Sequence, residues 1–414
     1  MVDNTFKLLR TRERRKRRLL GMSDVPQPIP TTATDPNFTT YTGPSLETIK
    51  SIVASQFQVK DAFLDPYGIP TILVAAEPTR EKFKNIVEQL RSQGLLGAIR
   101  AMGDTLTIKV FQKPKIKPSR RAINLGLFIA TVVSVTVAGY LLWTGALGGT
   151  LLEQYNQIIS PGASPYLEAA AFAIGLLAIV GLHEFGHKAA TRHHHLDATL
   201  PYFIPGPPPI GTFGALIALK GPPANRDQLF DLGLSGPVVG FVVTIIVTML
   251  AMLFGPPLTQ TKVDQLNAWS AACNCAGGFP ASPLLIVLLG NLTTYINPNV
   301  LLEPQLAFAA QVGALLTFLN IVPAWQLDGG HISRAVLGPD GHRIATYIGL
   351  GILLIAGFWP FALLVLVMMG FSGRGFRGVE PLDDVSPVSN SRKILYLLGI
   401  AMLVLTFAYL PYQF

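Results

Sequence analysis

His183-Glu184-Phe185-Gly186-His187 are the residues of this 414-residue chain whose types and spacing most directly invite chemistry. Histidines four apart share one face of a helix, so both imidazoles can bind a single zinc ion. A carboxylate beside them can take a proton from an attacking water whose acidity the zinc ion raises. Hydrolytic zinc is usually held by three protein ligands with a fourth position open, so a further donor is needed. His193, His194 and His195 are consecutive, point in different directions and follow Arg192, which reads as an interfacial cluster. Asp328, in Leu327-Asp328-Gly329-Gly330, is the better candidate: it closes another apolar segment on the same side, and two glycines let the backbone approach a metal closely. The competing reading of Asp328 is a cap on a helix beginning near His331.

The elements that must position these residues are membrane helices. Half of the residues are apolar and 14% are charged, a balance unlike that of soluble domains. No Asp, Glu, Lys or Arg lies between Arg121 and Glu153, Asp231 and Lys262, Glu303 and Asp328, Arg343 and Arg374, or beyond Lys393. A helix needs roughly 20 apolar residues to cross about 30 Å of hydrocarbon, and these runs supply them. Within such a helix a carboxylate and two histidines are costly unless they pair or work, which weighs against a chance motif.

Arg and Lys set the topology. Most of the net charge of +8 sits in the N-terminal arm and in short segments beside the apolar runs, the pattern of positive-inside orientation rather than of a nucleic-acid site. Residues 1–43 read as a basic, disordered arm and 44–113 as a small α+β cytoplasmic domain. Its expected elements are helices over 45–56 and 80–93, an extended run over 68–76 and an alternating run over 98–111. A basic linker, 114–121, leads into a transmembrane domain of about six or seven helices, 122–414. The expected spans are 122–145, 166–190, 234–254, 305–322 and 394–409, with a tight hairpin over 344–373 broken at Gly357 to Pro360. The apolar stretch 282–290 is too short to cross and reads as re-entrant or interfacial. Cys273 and Cys275, one residue apart, read as incidental loop thiols.

His183 to His187 in one segment, with Asn320-x-x-Pro323-x-x-x-Leu327-Asp328-Gly329-Gly330 in a later one, resembles the site-2 protease family of intramembrane zinc metalloproteases over about residues 120–412. The likeness is particularly to its archaeal, bacterial and plastid branch. The resemblance implies that His183, His187 and Asp328 bind Zn2+ and that Glu184 is the acid/base residue. It also implies substrates that are membrane-spanning protein segments. Gly211-Thr212-Phe213-Gly214 matches a G-x-F-G element of that family that presents an extended edge to substrate, and strand addition is the physical mode it would use. Asn320 and Pro323 are assigned the support role of breaking the helix and orienting the loop.

Two rivals remain: a membrane metal transporter, whose ligands would be spread along a pathway, and a catalytically idle scaffold, which would not need all four side chains. The membrane is expected to be a prokaryotic plasma membrane, because the N-terminus lacks a transit-like composition.

Overall fold

The computed structural model describes residues 43–113, 121–147, 149–272, 283–296, 298–372 and 378–407. Residues 1–42 of the basic arm, 114–120 of the linker, and Cys273 and Cys275 lie outside them.

The N-terminal unit runs α1 (Leu46–Ala54), β1 (Val59–Leu64), β2 (Pro70–Ala75), α2 (Arg80–Ser92), β3 (Leu95–Met102) and β4 (Thr105–Gln112). Its antiparallel sheet has the order β1-β2-β4-β3. Ile49 and Val53 of α1 and Phe83, Ile86 and Leu90 of α2 bury their apolar faces against Ile72, Val74, Ile99 and Ile108 of the sheet. The run 98–111, expected as one segment, is a hairpin that turns at Gly103, whose φ of 59° suits glycine. β1 was not foreseen, because it is an edge strand with exposed Lys60, Asp61 and Phe63 and lacks an apolar alternation.

The β1–β2 turn is organised by one carboxylate. Asp65 Oδ1 accepts the Tyr67 and Ile69 amides at 2.9 and 3.0 Å, and Oδ2 takes the Lys109 ammonium at 2.8 Å. Burial alone would raise this carboxyl, but those bonds and the Lys109 charge outweigh it and hold it below its ordinary value. A carboxyl depressed in the folded state contributes stability that is full above its unfolded pKa and lost as pH falls through the folded one. Asp65→Ala is therefore expected to destabilise the sheet by about 2 kcal/mol at neutral pH. Amide exchange of β1, β2 and β4 in the full chain reads this, and unchanged protection would refute it.

The remaining described residues are mainly helical: α3 (Arg121–Trp143), α4 (Gly149–Ile159), α5 (Pro165–His193), α6 (Arg226–Leu253), α7 (Gln260–Ala272), α8 (Leu284–Ile296), α9 (Pro304–Ile321), α10 (Asp328–Ile355), α11 (Trp359–Phe371) and α12 (Asn390–Leu405). A two-stranded hairpin, β5 (Tyr202–Pro205) with β6 (Thr212–Leu216), sits between α5 and α6. Among the described residues, α3, α5, α6 and α9 are long and apolar enough to cross a membrane. They share a core of Val135, Phe172, Leu176, Ile179, Val243, Val247, Ala309 and Ala310. Their other faces expose large apolar side chains, such as Leu125, Ile129 and Val133 on α3 and Val242, Ile246 and Met249 on α6, as helices facing lipid do. The chain is an integral membrane protein.

The stretch around 282–290 contributes to α8, a helix of 13 residues, about 20 Å long and so shorter than the hydrocarbon layer. α10 is kinked at Gly338, which has φ 74° and precedes Pro339. It ends at Ile355, and α11 begins at Trp359 after Gly357 with φ 86°, so the break falls in the region expected. A strap, residues 380–389, then passes between the two units. The Leu382 and Asp383 amides donate to the carbonyls of Pro223 and Ala224, and the Ile99 amide of β3 donates to the Leu382 carbonyl.

Candidate metal centre and active site

α5 begins at Pro165 after Ser164, an N1 proline that gives up no needed amide. Its C-terminal half carries His183, Glu184 and His187, with side-chain donors clustered within 4.8 Å of one another. His183 and Glu184 are buried at 8% and 5% exposure. The second element is the first turn of α10. The loop before it is held by the Trp325 amide donating to Thr346 Oγ1 at 3.2 Å and by the Leu327 amide donating to the Ala324 carbonyl. Leu327 is the N-cap of α10 and Asp328 its first residue, and no side-chain cap bond forms. The capping alternative is thereby set aside, and the carboxylate is directed elsewhere.

It is directed at the two imidazoles. Asp328 Oδ2 lies 3.3 Å from His183 Nε2 and 3.3 Å from His187 Nε2, and the two Nε2 atoms are 3.1 Å apart. Donors held about 2.0–2.1 Å from a tetrahedral zinc ion stand about 3.3 Å from one another, so this triangle fits zinc and its two nitrogens and one oxygen suit it chemically. His187 Nδ1 is 2.8 Å from the Leu232 carbonyl of α6, the outer hydrogen bond that orients a ligating imidazole. Glu184 Oε2 is buried and has no hydrogen-bond partner among the described residues.

α6 supplies the socket. Asn225 Oδ1 caps it by accepting the Gln228 amide at 2.9 Å. Gly233, Gly236 and Gly240 line the face turned to the site. A Cβ at Gly236 would run into the His187 imidazole, and one at Gly240 would stand 3.1 Å from His183 Nδ1. At Gly233 it would press on the Asp328 carbonyl oxygen and the His331 Cβ, at 2.7 and 2.9 Å. Sequence reasoning missed all three glycines and the Leu232 carbonyl. The signal available was small residues at three- and four-residue spacing in an apolar run.

The other expected site residues fall around this centre. Gly329 and Gly330 have a different job from the one expected: a Cβ on either would clash with backbone oxygens at Ile321 or Trp325, so they let α10 start against the end of α9. Asn320 is the penultimate residue of α9, and Pro323 opens the loop that follows. Gly211, Phe213 and Gly214 belong to the β5–β6 hairpin, which packs on α3 and α5. Gly211, at φ 81°, lies directly against the backbone of Ser134 and Val135, and its carbonyl accepts the Ser134 hydroxyl at 2.7 Å. Phe213 on β6 is 70% exposed. None of these joins the donor triangle. His194 is bonded instead to Asp231, at 2.8 Å.

Comparison with known proteins bears on the same region. The model of peptidase family M50 matches residues 171–356, which contain α5 from its second helical turn, α6, α9 and all of α10. Over 299 residues the chain is 26% identical to the probable zinc metalloprotease EGY1, chloroplastic, of Oryza sativa subsp. japonica, covering 69% of this chain and 49% of that protein. It is 29% identical over 246 residues to the probable zinc metalloprotease EGY2, chloroplastic, of Oryza sativa subsp. indica, covering 58% and 42%. To the EGY1 protein of Arabidopsis thaliana it is 28% identical over 306 residues, covering 70% and 53%. The chain spans about half the length of these relatives. No solved structure matches it significantly. The four chemically armed side chains lie inside the matched segment, and residues 171–356 are a domain of peptidase family M50, the site-2 protease family, in a chain homologous to the EGY zinc metalloproteases.

Proposed function

We propose that the chain is an intramembrane zinc metalloprotease that hydrolyses peptide bonds in membrane-spanning segments of other proteins. The observation that carries this reading is the buried His183–His187–Asp328 triangle beside an unpartnered Glu184 carboxylate oxygen. Bound there, zinc would make water acidic enough to attack and would polarise the scissile carbonyl. Glu184 takes the proton from the attacking water, holds it as a carboxylic acid and passes it to the leaving amide nitrogen. His187, fixed by the Leu232 carbonyl, keeps its Nε2 turned inward, and the glycine face of α6 admits the imidazoles without room for competing side chains. The exposed β6 segment with Phe213 offers a substrate an edge for strand addition, because a helix must unwind before hydrolysis. A transporter would spread its ligands by depth, whereas these donors converge within one turn of α5 and the first residue of α10.

The N-terminal domain is read as cytoplasmic and the chain as crossing seven times, with α10 and α11 as a hairpin. Supporting this, the strap after α11 bonds to Arg226, Arg334 and Ile99, so the chain has returned to the face where α6 and α10 begin. The relatives named are chloroplastic, which lends the expectation of a prokaryotic plasma membrane no support.

The test is to purify the full chain in detergent, quantify bound metal and assay cleavage of a single-span protein with and without chelator. About one zinc per chain and chelator-sensitive cleavage are expected. Bound zinc with no cleavage of several single-span proteins would favour transport, and absent zinc would overturn the site.

A further inference from the structure

Asp384 lies in the strap, 56 residues along the chain from Asp328 and far from it in sequence role, yet it joins the helices that build the metal site. Its carboxylate receives Arg334 through two bonds, Nη1–Oδ1 at 2.9 Å and Nη2–Oδ2 at 2.6 Å. It also receives Arg226 Nε at 3.2 Å, while Arg226 Nη2 donates to the Asp384 carbonyl at 2.7 Å. The Arg334 side chain is 1% exposed and that of Asp384 is 9% exposed. Burial works against ionising Asp384, but the Arg334 hydrogen bonds and the charges of Arg334, Arg100 and Arg226 keep its carboxyl below the ordinary value. The clamp is therefore charged at neutral pH, and forked guanidinium–carboxylate pairing fixes geometry as well as supplying attraction.

What it fixes follows from the two arginines. Arg226 is the first residue of α6, the helix whose Leu232 carbonyl and glycine face hold His187. Arg334 lies in the first segment of α10, which starts at Asp328 and ends at the Gly338 kink. That kink separates the Asp328 segment from the rest of α10, so the remainder of the helix does not by itself dictate where Asp328 stands. The kink in turn packs on the Arg226 guanidinium, 3.4 Å from where a Gly338 Cβ would lie. We propose that Asp384 is a positioning residue for the metal site: by bridging Arg226 and Arg334 it sets α6 against the first segment of α10, and so His187 against Asp328.

The strap also carries the N-terminal domain. Arg100 Nη1 donates to the Leu382 carbonyl at 2.8 Å and Nη2 reaches Glu380 at 3.3 Å, while Thr79 and Ser386 share a buried hydroxyl bond of 2.7 Å. Docking of that domain therefore bears on the same clamp, which gives the soluble domain a route to the zinc centre.

The proposal rests on the zinc reading, and the experiment separates the two. Zinc affinity of the monodisperse full chain is measured by competition with a chromogenic chelator, alongside kcat and KM for a single-span substrate. Asp384→Asn is expected to weaken zinc about tenfold and to lower kcat with KM nearly unchanged. Asp384→Glu should restore part of both, which simple loss of folded protein would not do. Arg334→Lys keeps the charge but loses the fork, and is expected to move affinity the same way should Asp384→Asn fail to fold. Arg100→Ala should weaken zinc about threefold; unaltered affinity there removes the N-terminal domain from the device. Wild-type affinity in folded Asp384→Asn or Arg334→Lys overturns the positioning role while leaving the zinc reading intact. A wild-type chain that binds no zinc fails the zinc reading itself.

Discussion

Glu184→Gln is expected to keep its zinc and lose about 100- to 10,000-fold in kcat. The amide is nearly isosteric with the carboxylate, so the triangle of His183, His187 and Asp328, whose mutual contacts do not involve Glu184, is left in place. What the amide cannot do is accept a proton from water and return it to the leaving nitrogen. Because that interaction exists only on the way to the transition state, KM should change little. The measurement pairs metal content with turnover on the same preparation. Retained turnover would remove Glu184 from the role, and loss of zinc together with turnover would show that the carboxylate holds the site rather than working in it. Glu184→Asp, which retracts the same group by one methylene, should retain an intermediate activity if reach is what matters.

Much of this arrangement is legible in the sequence because it is local. The two imidazoles and the carboxylate are ordered by helical periodicity alone, and the apolar runs announce α3, α6 and α9 by the absence of charge over a bilayer's length. The hairpin break near Gly357 is local as well, since a glycine held at φ 86° interrupts the helical backbone where it stands and a proline two residues into the next helix suits a helix start. Asp328 is the intermediate case: its segment and side were readable, but whether it capped a helix or faced the imidazoles depended on how α10 begins.

What the sequence hides depends on partners far along the chain. The Arg226–Asp384 contact spans 158 residues and the Arg334–Asp384 contact 50, and charges in a basic-flanked loop look alike whether solvated or clamped. The glycines mislead for the same reason. Gly329 and Gly330 invite a reading in which backbone approaches metal, yet they make room for the Ile321 and Trp325 carbonyls. Gly233, Gly236 and Gly240 invite none, yet they make room for the Asp328 backbone and the His187 and His183 imidazoles. A glycine records that something is close without recording what.

That hidden role carries the second large effect. Gly236→Ala is expected to weaken zinc binding by about 100-fold although it removes no ligand, since displacing a ligating imidazole acts as the loss of its outer support does. Helix propensity alone would favour alanine by about 1 kcal/mol at an interior helical position, so the secondary-structure argument and the packing argument predict opposite signs. Packing should win, because the added methyl would occupy space held by the His187 ring and α5 and α6 are in contact along their length. The ring must rotate away from the Leu232 carbonyl or α5 must separate from α6, and either breaks the triangle with Asp328. Gly351→Ala, inside α10 with open space where the methyl would go, is the matched control and should leave zinc affinity unchanged. Chelator competition on both proteins decides the matter: equal affinities would mean that the socket yields and that His187 is held by its own helix rather than by α6.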